Sequence, residues 1–237
     1  MTSFRSEIKV YTTGPHSCSY LPGREATTLF LDPGAAVDEQ LYSRLSQQGF
    51  RRSGPHLYRP HCANCKACIP ARIVVDDFQP RRSQKRTWQQ NHDLVVSEVE
   101  SIASGEFFEL YRRYIENRHR GGDMYPPLRD QYESFLSNEW GVTSYFSMEL
   151  GGQLLCVSVV DRLNDGLSAI YTFFEPQQQH RSLGAYAILW QIEWARELGL
   201  SYVYLGYWIR QCRKMAYKTR YRPLELYCNG RWSTLPS

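Results

Sequence analysis

The 237-residue chain predicts an α+β protein, and three observations carry that expectation. A strand–helix–strand pattern runs through 166–209. A run of antiparallel character, 143–161, precedes it. Before both lies a turn-rich stretch of short strands and one short helix, 1–92.

The elements follow in chain order. His16 to Gly23 is a loop ending in a Pro-Gly turn, and 25–31 reads as a strand closed by Asp32-Pro33-Gly34. Asp38 caps a short amphipathic helix over 38–48 that turns Leu41 and Leu45 inward and stops at Gly49. Residues 50–59 fit a hairpin arm around Ser53-Gly54-Pro55, and 71–75 is a β-branched, apolar strand. After an alternating strand at 94–99, Phe107, Tyr111, Tyr114 and Ile115 share one face of a helix that runs towards Arg118 and His119. Tyr132, Phe135 and Leu136 mark another helix. Residues 143–150 and 153–161 pair through Gly151-Gly152, and 166–175 continues that run as a buried strand closed by Pro176. Beyond the polar turn 177–181, Leu183, Ala187, Trp190, Trp194, Ala195 and Leu198 recur at helical spacing, with Gly199 as the stop. The last strand, 202–209, divides Tyr202, Tyr204 and Trp208 from Val203, Leu205, Tyr207 and Ile209. Helices, a meander and a crossover in this order are those of an acetyltransferase-like (GNAT) fold. The expected organisation is therefore a GNAT-like C-terminal module over 93–237, with a smaller N-terminal module, 1–92, packed on it.

No run of about 18 apolar residues exists to span a membrane, and Met1 to Lys9 lacks the apolar core of a leader, so the cytosol is the expected compartment. The net charge of +4 is unevenly spread. Between Gly49 and His92 nine Lys/Arg oppose two Asp. Between Tyr207 and Arg222 six Lys/Arg meet no acid, which leaves −9 for the rest of the chain. Basic segments with aromatic residues among them point to a polyanion such as RNA.

Seven cysteines, an odd number, fit reduced thiols or a metal site better than a disulfide framework. Cys62, Cys65 and Cys68 form two overlapping C-x-x-C spacings, which bring thiolates within reach of one ion. A fourth ligand would come from Cys18 or His61. The alternative is a set of reduced thiols packing a turn.

Several strings resemble the arginyl-tRNA–protein transferase family, in order and over nearly the whole chain. His16 to Gly23, Tyr58 to Arg72 and Gln79 to Arg86 are similar to its N-terminal module. Tyr111 to Met124, Tyr171 to Pro176, Arg181 to Tyr186, Tyr202 to Trp208 and Met215 to Lys218 are similar to its C-terminal module. The short length and the Cys-Ser-Tyr-Leu opening resemble the bacterial branch; Leu21 stands where the eukaryotic arginyl branch has a second cysteine. The resemblance implies that leucine moves from leucyl-tRNA to the α-amine of a protein beginning with Asp or Glu, creating an N-degron. Its alternatives are an arginyl donor, or a coenzyme A-dependent N-acyltransferase.

That reaction assigns roles. An α-amine has an ordinary pKa near 8 and the leucyl ester is already activated, so holding the two together supplies much of the rate. Tyr171 and Glu175 are the expected groups for proton handling and amine orientation. Arg81, Arg82, Lys85 and Arg86 are candidates for tRNA or acidic-terminus contact, and Arg118 and His119 for either substrate. Arg181 and Gly184, at a helix N-terminus, are placed to meet phosphate or the oxyanion, while Tyr207 helps line an apolar donor pocket. Lys214 and Lys218, one helical turn apart, are expected to face phosphate together. No cofactor is required for the chemistry. The cysteines Cys18, Cys62, Cys65 and Cys68 are the candidate ligands of a structural zinc or iron–sulfur centre.

Overall fold

The computed structural model describes residues 8–137 and 140–236. Residues 1–7, which carry most of the stretch read as lacking a leader, lie outside that range. The first strands are β1 (Val10–Thr12), β2 (His16–Ser17), β3 (Glu25–Ala26) and β4 (Thr28–Leu31). Helix α1 (Glu39–Gln47) begins at Asp38, whose carboxylate accepts the Leu41 N–H at 2.7 Å, and ends before Gly49 at φ +84°. The expected hairpin is β5 (Arg51–Ser53) and β6 (His56–Pro60). Its turn residue Gly54, φ +55°, lies so close to helix α4 (Arg129–Leu136) that a Cβ there would sit 2.1 Å from the Ser134 carbonyl oxygen. Between them run β7 (Ile69–Val74), α2 (Arg82–Gln90), β8 (Val95–Val99) and α3 (Gly105–Arg118). The chain continues through β9 (Thr143–Leu150), β10 (Gln153–Leu163), β11 (Gly166–Phe174), α5 (Leu183–Glu197) and β12 (Tyr202–Trp208). A 3-10 helix (Arg213–Arg220), β13 (Leu224–Cys228) and β14 (Arg231–Thr234) close it. The fold is mixed α+β.

A sheet in the order β1-β4-β6-β5 belongs to the first half, and β2 pairs with β3. The larger sheet runs β14-β13-β7-β12-β11-β10-β9-β8. Residues before His92 therefore supply a central strand, β7, to the sheet built mainly by the rest of the chain. Strand alternation sends successive residues to opposite faces. Phe146 and Val160 pack with Ile188, Leu189 and Ile192 of α5, whereas their neighbours Tyr145 and Val159 pack with Leu110, Tyr111 and Ile115 of α3. The N-terminal half docks through Tyr42, Leu45 and Leu57 against Leu163 and Tyr204. At that joint Arg52 and Asp161, both fully buried side chains, meet at 2.5 Å, and Asp161 also accepts from Tyr42 Oη at 2.7 Å and Thr143 Oγ1 at 2.7 Å. A buried pair is sustained only when its remaining lone pairs are met in this way.

Strands β11 and β12 are the parallel pair that places the site. They pair only over Gly166–Ser168 with Tyr202–Tyr204, and then part. At that point each carries one extra residue relative to its other neighbour: Ile170 in β11 and Leu205 in β12. The extra residue in β12 corrects the expected faces of 202–209. Tyr207 joins Tyr204 on the side of the N-terminal half, and Trp208 turns to the α5 side.

Candidate active site

The parting of β11 and β12 opens a split in the middle of the large sheet, and three groups of side chains gather around it. The first is aromatic. On the free stretch of β11, the Tyr171 ring stands edge-on to Tyr114 at 6.3 Å and to Phe135 at 5.4 Å, and its hydroxyl donates to Met124 Sδ at 3.4 Å. Tyr114 also packs on Phe174 at 4.9 Å, over which the Arg118 guanidinium sits at 5.4 Å. Burial pushes the Tyr171 hydroxyl well up and Tyr114 to about 12, so both stay protonated donors. His119 Nε2 lies 3.4 Å from Tyr114 Oη. Burial, and then the charges of Lys214 and Arg118, hold its pKa below the ordinary value, which keeps the imidazole neutral.

The second group comes from the N-terminal half. Arg51 of β5 enters the split: its Nη1 donates to Ser168 Oγ at 2.8 Å and its Nη2 to the Ala169 carbonyl at 2.6 Å. Gly206 admits it, for a Cβ there would lie 3.1 Å from Arg51 Nε. Tyr207 Oη donates to the Gly49 carbonyl at 2.8 Å, with the Tyr58 carbonyl 3.3 Å away. Beneath these, the buried Lys218 ammonium donates to the Tyr207 carbonyl. Burial, then Arg51, lowers its pKa to about 7.

The third group is exposed and basic. Arg81, Arg82, Lys85 and Arg86 point outward at and along α2, and Arg210, Arg213, Lys214 and Arg220 outward from the 3-10 helix region. Gln84 Nε2 donates to the Arg220 carbonyl at 3.2 Å, which joins these two segments, far apart in sequence, into one surface. Beside it a cavity of about 520 Å³ lies between α2 and the turn before α5, lined by Arg86, Thr87, Gln89, Gln90, His180 and Ser182.

The expected residues thus divide. Tyr171, Arg118, His119 and Lys214 converge on the aromatic side of the split, and Tyr207 and Lys218 lie on its other side. Lys214 and Lys218 do not face one way: at three residues per turn a 3-10 helix rotates i and i+4 apart, and Lys218 is buried while Lys214 is exposed. Glu175 is engaged by Arg113 Nε at 3.0 Å. Arg181 grips Asp93 through two bonds of 2.8 and 3.0 Å and the Gln90 carbonyl at 3.2 Å, which pins α2 to the turn before α5. Gly184 allows close approach, since a Cβ would lie 3.1 Å from the Phe174 ring. Arg51 was visible in the sequence only as one charge among nine; the alternation of a strand, which sends Arg52 to Asp161 and Arg51 the other way, is the signal that singles it out.

The thiols of Cys18, Cys62 and Cys65 act on Cys68, which burial and these neighbours push up to about 12. Among the described residues no group of three or more His, Cys, Asp or Glu side chains is arranged to hold a metal ion.

Two family models match this chain: arginine-tRNA-protein transferase, N terminus, over residues 16–86, and arginine-tRNA-protein transferase, C terminus, over residues 106–228. The chain belongs to the arginine-tRNA–protein transferase family. Within that family it is 58% identical to the aspartate/glutamate leucyltransferase of Pseudomonas fluorescens (strain Pf0-1), over 97% of this chain and 98% of that one. The corresponding protein of Saccharophagus degradans is 54% identical over the same shares. Among solved structures, FemX aligns with a TM-score of 0.49 at 10% identity, covering 87% of this chain and 81% of that one. All three groups around the split draw on segments within the matched ranges.

Proposed function

We propose that this protein transfers leucine from leucyl-tRNA to the α-amine of proteins that begin with Asp or Glu, marking them as N-degron substrates. The observation that carries the reading is the identity of 54–58% to aspartate/glutamate leucyltransferases over 97% of the chain. The site agrees with it. The joined basic surface suits the backbone of a tRNA acceptor arm. The aromatic cluster of Tyr114, Tyr171 and Phe174 offers an apolar surface to a leucyl side chain, and the one acid expected to serve an arginyl group, Glu175, is taken up by Arg113. An order of strand, two helices, meander and crossover from β8 to β12, with a split between the parallel strands, supports the GNAT-like reading of the C-terminal module.

In the reaction, the amine nitrogen bonds to the leucyl carbonyl carbon, the ester bond to the ribose breaks, and the ribose oxygen takes up a proton as the amine gives one up. Neutral His119 is suited to accept the amine proton, and the Tyr171 hydroxyl to orient the attacking amine. Holding ester and amine together across the split supplies the remainder. No helix among the described residues is long and apolar enough to cross a membrane, and a need for charged tRNA favours the cytosol as the compartment of the reaction. The thiols of Cys18, Cys62, Cys65 and Cys68, which are not arranged around an ion in this structure, are also proposed as a zinc or iron–sulfur donor set on their sequence spacing; metal analysis of purified protein at less than one ion per few chains would refute it.

Leucyl-tRNA and arginyl-tRNA, offered separately with peptides beginning Asp, Glu, Lys or Ala, test the reading. Leucine on the Asp and Glu peptides alone is expected. Arginine transfer would overturn the donor, and acetyl-CoA turnover without transfer would overturn the reaction.

A further inference from the structure

Among the described residues, the buried cations are compensated by carboxylates, with one exception. Arg52, 3% exposed, meets Asp161, and Arg72, 7% exposed, meets Glu225 at 2.7 Å. Lys218 is 4% exposed, yet among the described residues no carboxylate pairs with it; its ammonium donates to the Tyr207 carbonyl and stands 5.8 Å from the centre of the Tyr217 ring. The cation acting on it is Arg51, of the same sign, and against it stand only the weaker influences of the Cys212 and Cys68 thiols. Arg51 in turn bonds a hydroxyl and a carbonyl but no acid. Arg51 and, in its protonated form, Lys218, one from each half of the chain, therefore share a recessed place with no carboxylate partner among the described residues. A polypeptide sustains such an arrangement at a loss of stability, because a buried charge without a partner is strongly unfavourable.

We propose that Arg51 and Lys218 form the acceptor specificity site, taking the side-chain carboxylate of an N-terminal Asp or Glu as the counter-charge the chain itself omits. This rests on the transfer reaction proposed above. In the reaction proposed above the exposed basic surface serves phosphate, which is bulky and rides on a stiff backbone. A carboxylate on a stalk of one or two methylenes is the anion that reaches a recessed ammonium. Arg51 also bonds Ala169, where β11 leaves β12, so an acceptor anchored here presents its amine at the split. The two cations favour the neutral form of that amine, which is the form that attacks. Asn and Gln offer no charge, leave both cations unpaired, and are rejected on that ground.

The test begins without tRNA: the purified protein is titrated with a tetrapeptide beginning Asp and with its Asn twin. The wild type is expected to prefer the Asp peptide by about 30-fold or more, and Lys218→Met to lose most of that preference. Met keeps the length of the stem and removes an unpaired buried charge, so the melting temperature should hold or rise. Arg51→Lys, a second variant that retains charge, should lose part of the preference. In transfer assays the Lys218→Met KM for the Asp peptide should rise while the KM for leucyl-tRNA stays within twofold. An unchanged Asp-over-Asn preference in Lys218→Met would overturn the proposal. So would a wild type without that preference, an equal fall in kcat on both peptides, which marks a proton carrier, or a raised KM for leucyl-tRNA, which marks a phosphate-binding role. Asp-peptide preference that depends on Lys218 in a protein that transfers no leucine would sustain this site and refute the reaction.

Discussion

At Gly206 the backbone holds φ +74° and Arg51 fills the space a side chain would take. Gly206→Ala adds strain and pushes on a guanidinium that is fixed by two hydrogen bonds. The expected outcome is a loss of about 1–2 kcal/mol in denaturant unfolding, together with a higher KM for acidic peptides. His119 carries a second consequence at this scale. Its folded pKa lies below the ordinary 6.5, so as pH falls the unfolded chain binds the proton first. Its share of stability is complete above about pH 6.5 and drains away as pH drops through the folded value. Melting curves of wild type and His119→Gln, compared from about pH 7.5 down to about pH 5, should show the flatter dependence in the variant. Tyr171 and His119 were legible as candidates because they lie in aromatic or helix-end motifs. Arg51 was not, because its meaning depends on where β5 lies against β11, a contact between residues more than a hundred positions apart.

Between elements, two joints carry the arrangement. The Arg52–Asp161 pair fixes β5 to β10, and so fixes the neighbouring Arg51 in the split. Arg52→Met strands Asp161 in the core and should cost about 3–5 kcal/mol, with transfer abolished at temperatures where the fold persists. Removing both charges with Arg52→Met and Asp161→Leu should recover much of the stability, which a double-mutant cycle would read. The second joint is the Gln84–Arg220 hydrogen bond that unites the two basic segments. Replacing Arg82, Lys85 and Arg86 by Gln should raise the KM for leucyl-tRNA and make its salt dependence shallower, by about 0.7–0.9 in log–log slope for each phosphate no longer neutralised. The peptide KM should stay unchanged. Element positions were largely readable: α1 with its Asp38 cap, the β5–β6 hairpin, α3, α5 and the β9–β10 pair fall where periodicity and turn residues set them. Periodicity missed α2 and the closing strands β13 and β14, the extra residue in β12, which reverses the faces beyond it, and the 3-10 winding of 213–220, which parts Lys214 from Lys218.

Across the whole molecule the two halves are interleaved. Strand β7 comes from the first third of the chain, yet it lies between β12 and β13. No local pattern announces such a placement, since an apolar strand reads the same at an edge or in the middle of a sheet. The family was legible because its strings are long and ordered along the chain, whereas the site was only half legible because its decisive contacts cross between the halves. In the proposed reaction the outer basic face takes the tRNA, the aromatic cluster meets the leucyl group, and the split delivers an acidic N-terminus to it. One competition reaction tests this most directly. A peptide beginning with Asp and its Asn twin are incubated together with the protein and a full set of charged tRNAs, and the new N-terminal residue of each is read by mass spectrometry. Leucine alone, on the Asp peptide alone, is the predicted product. Any other amino acid as the main product, or leucine shared equally by both peptides, would contradict it.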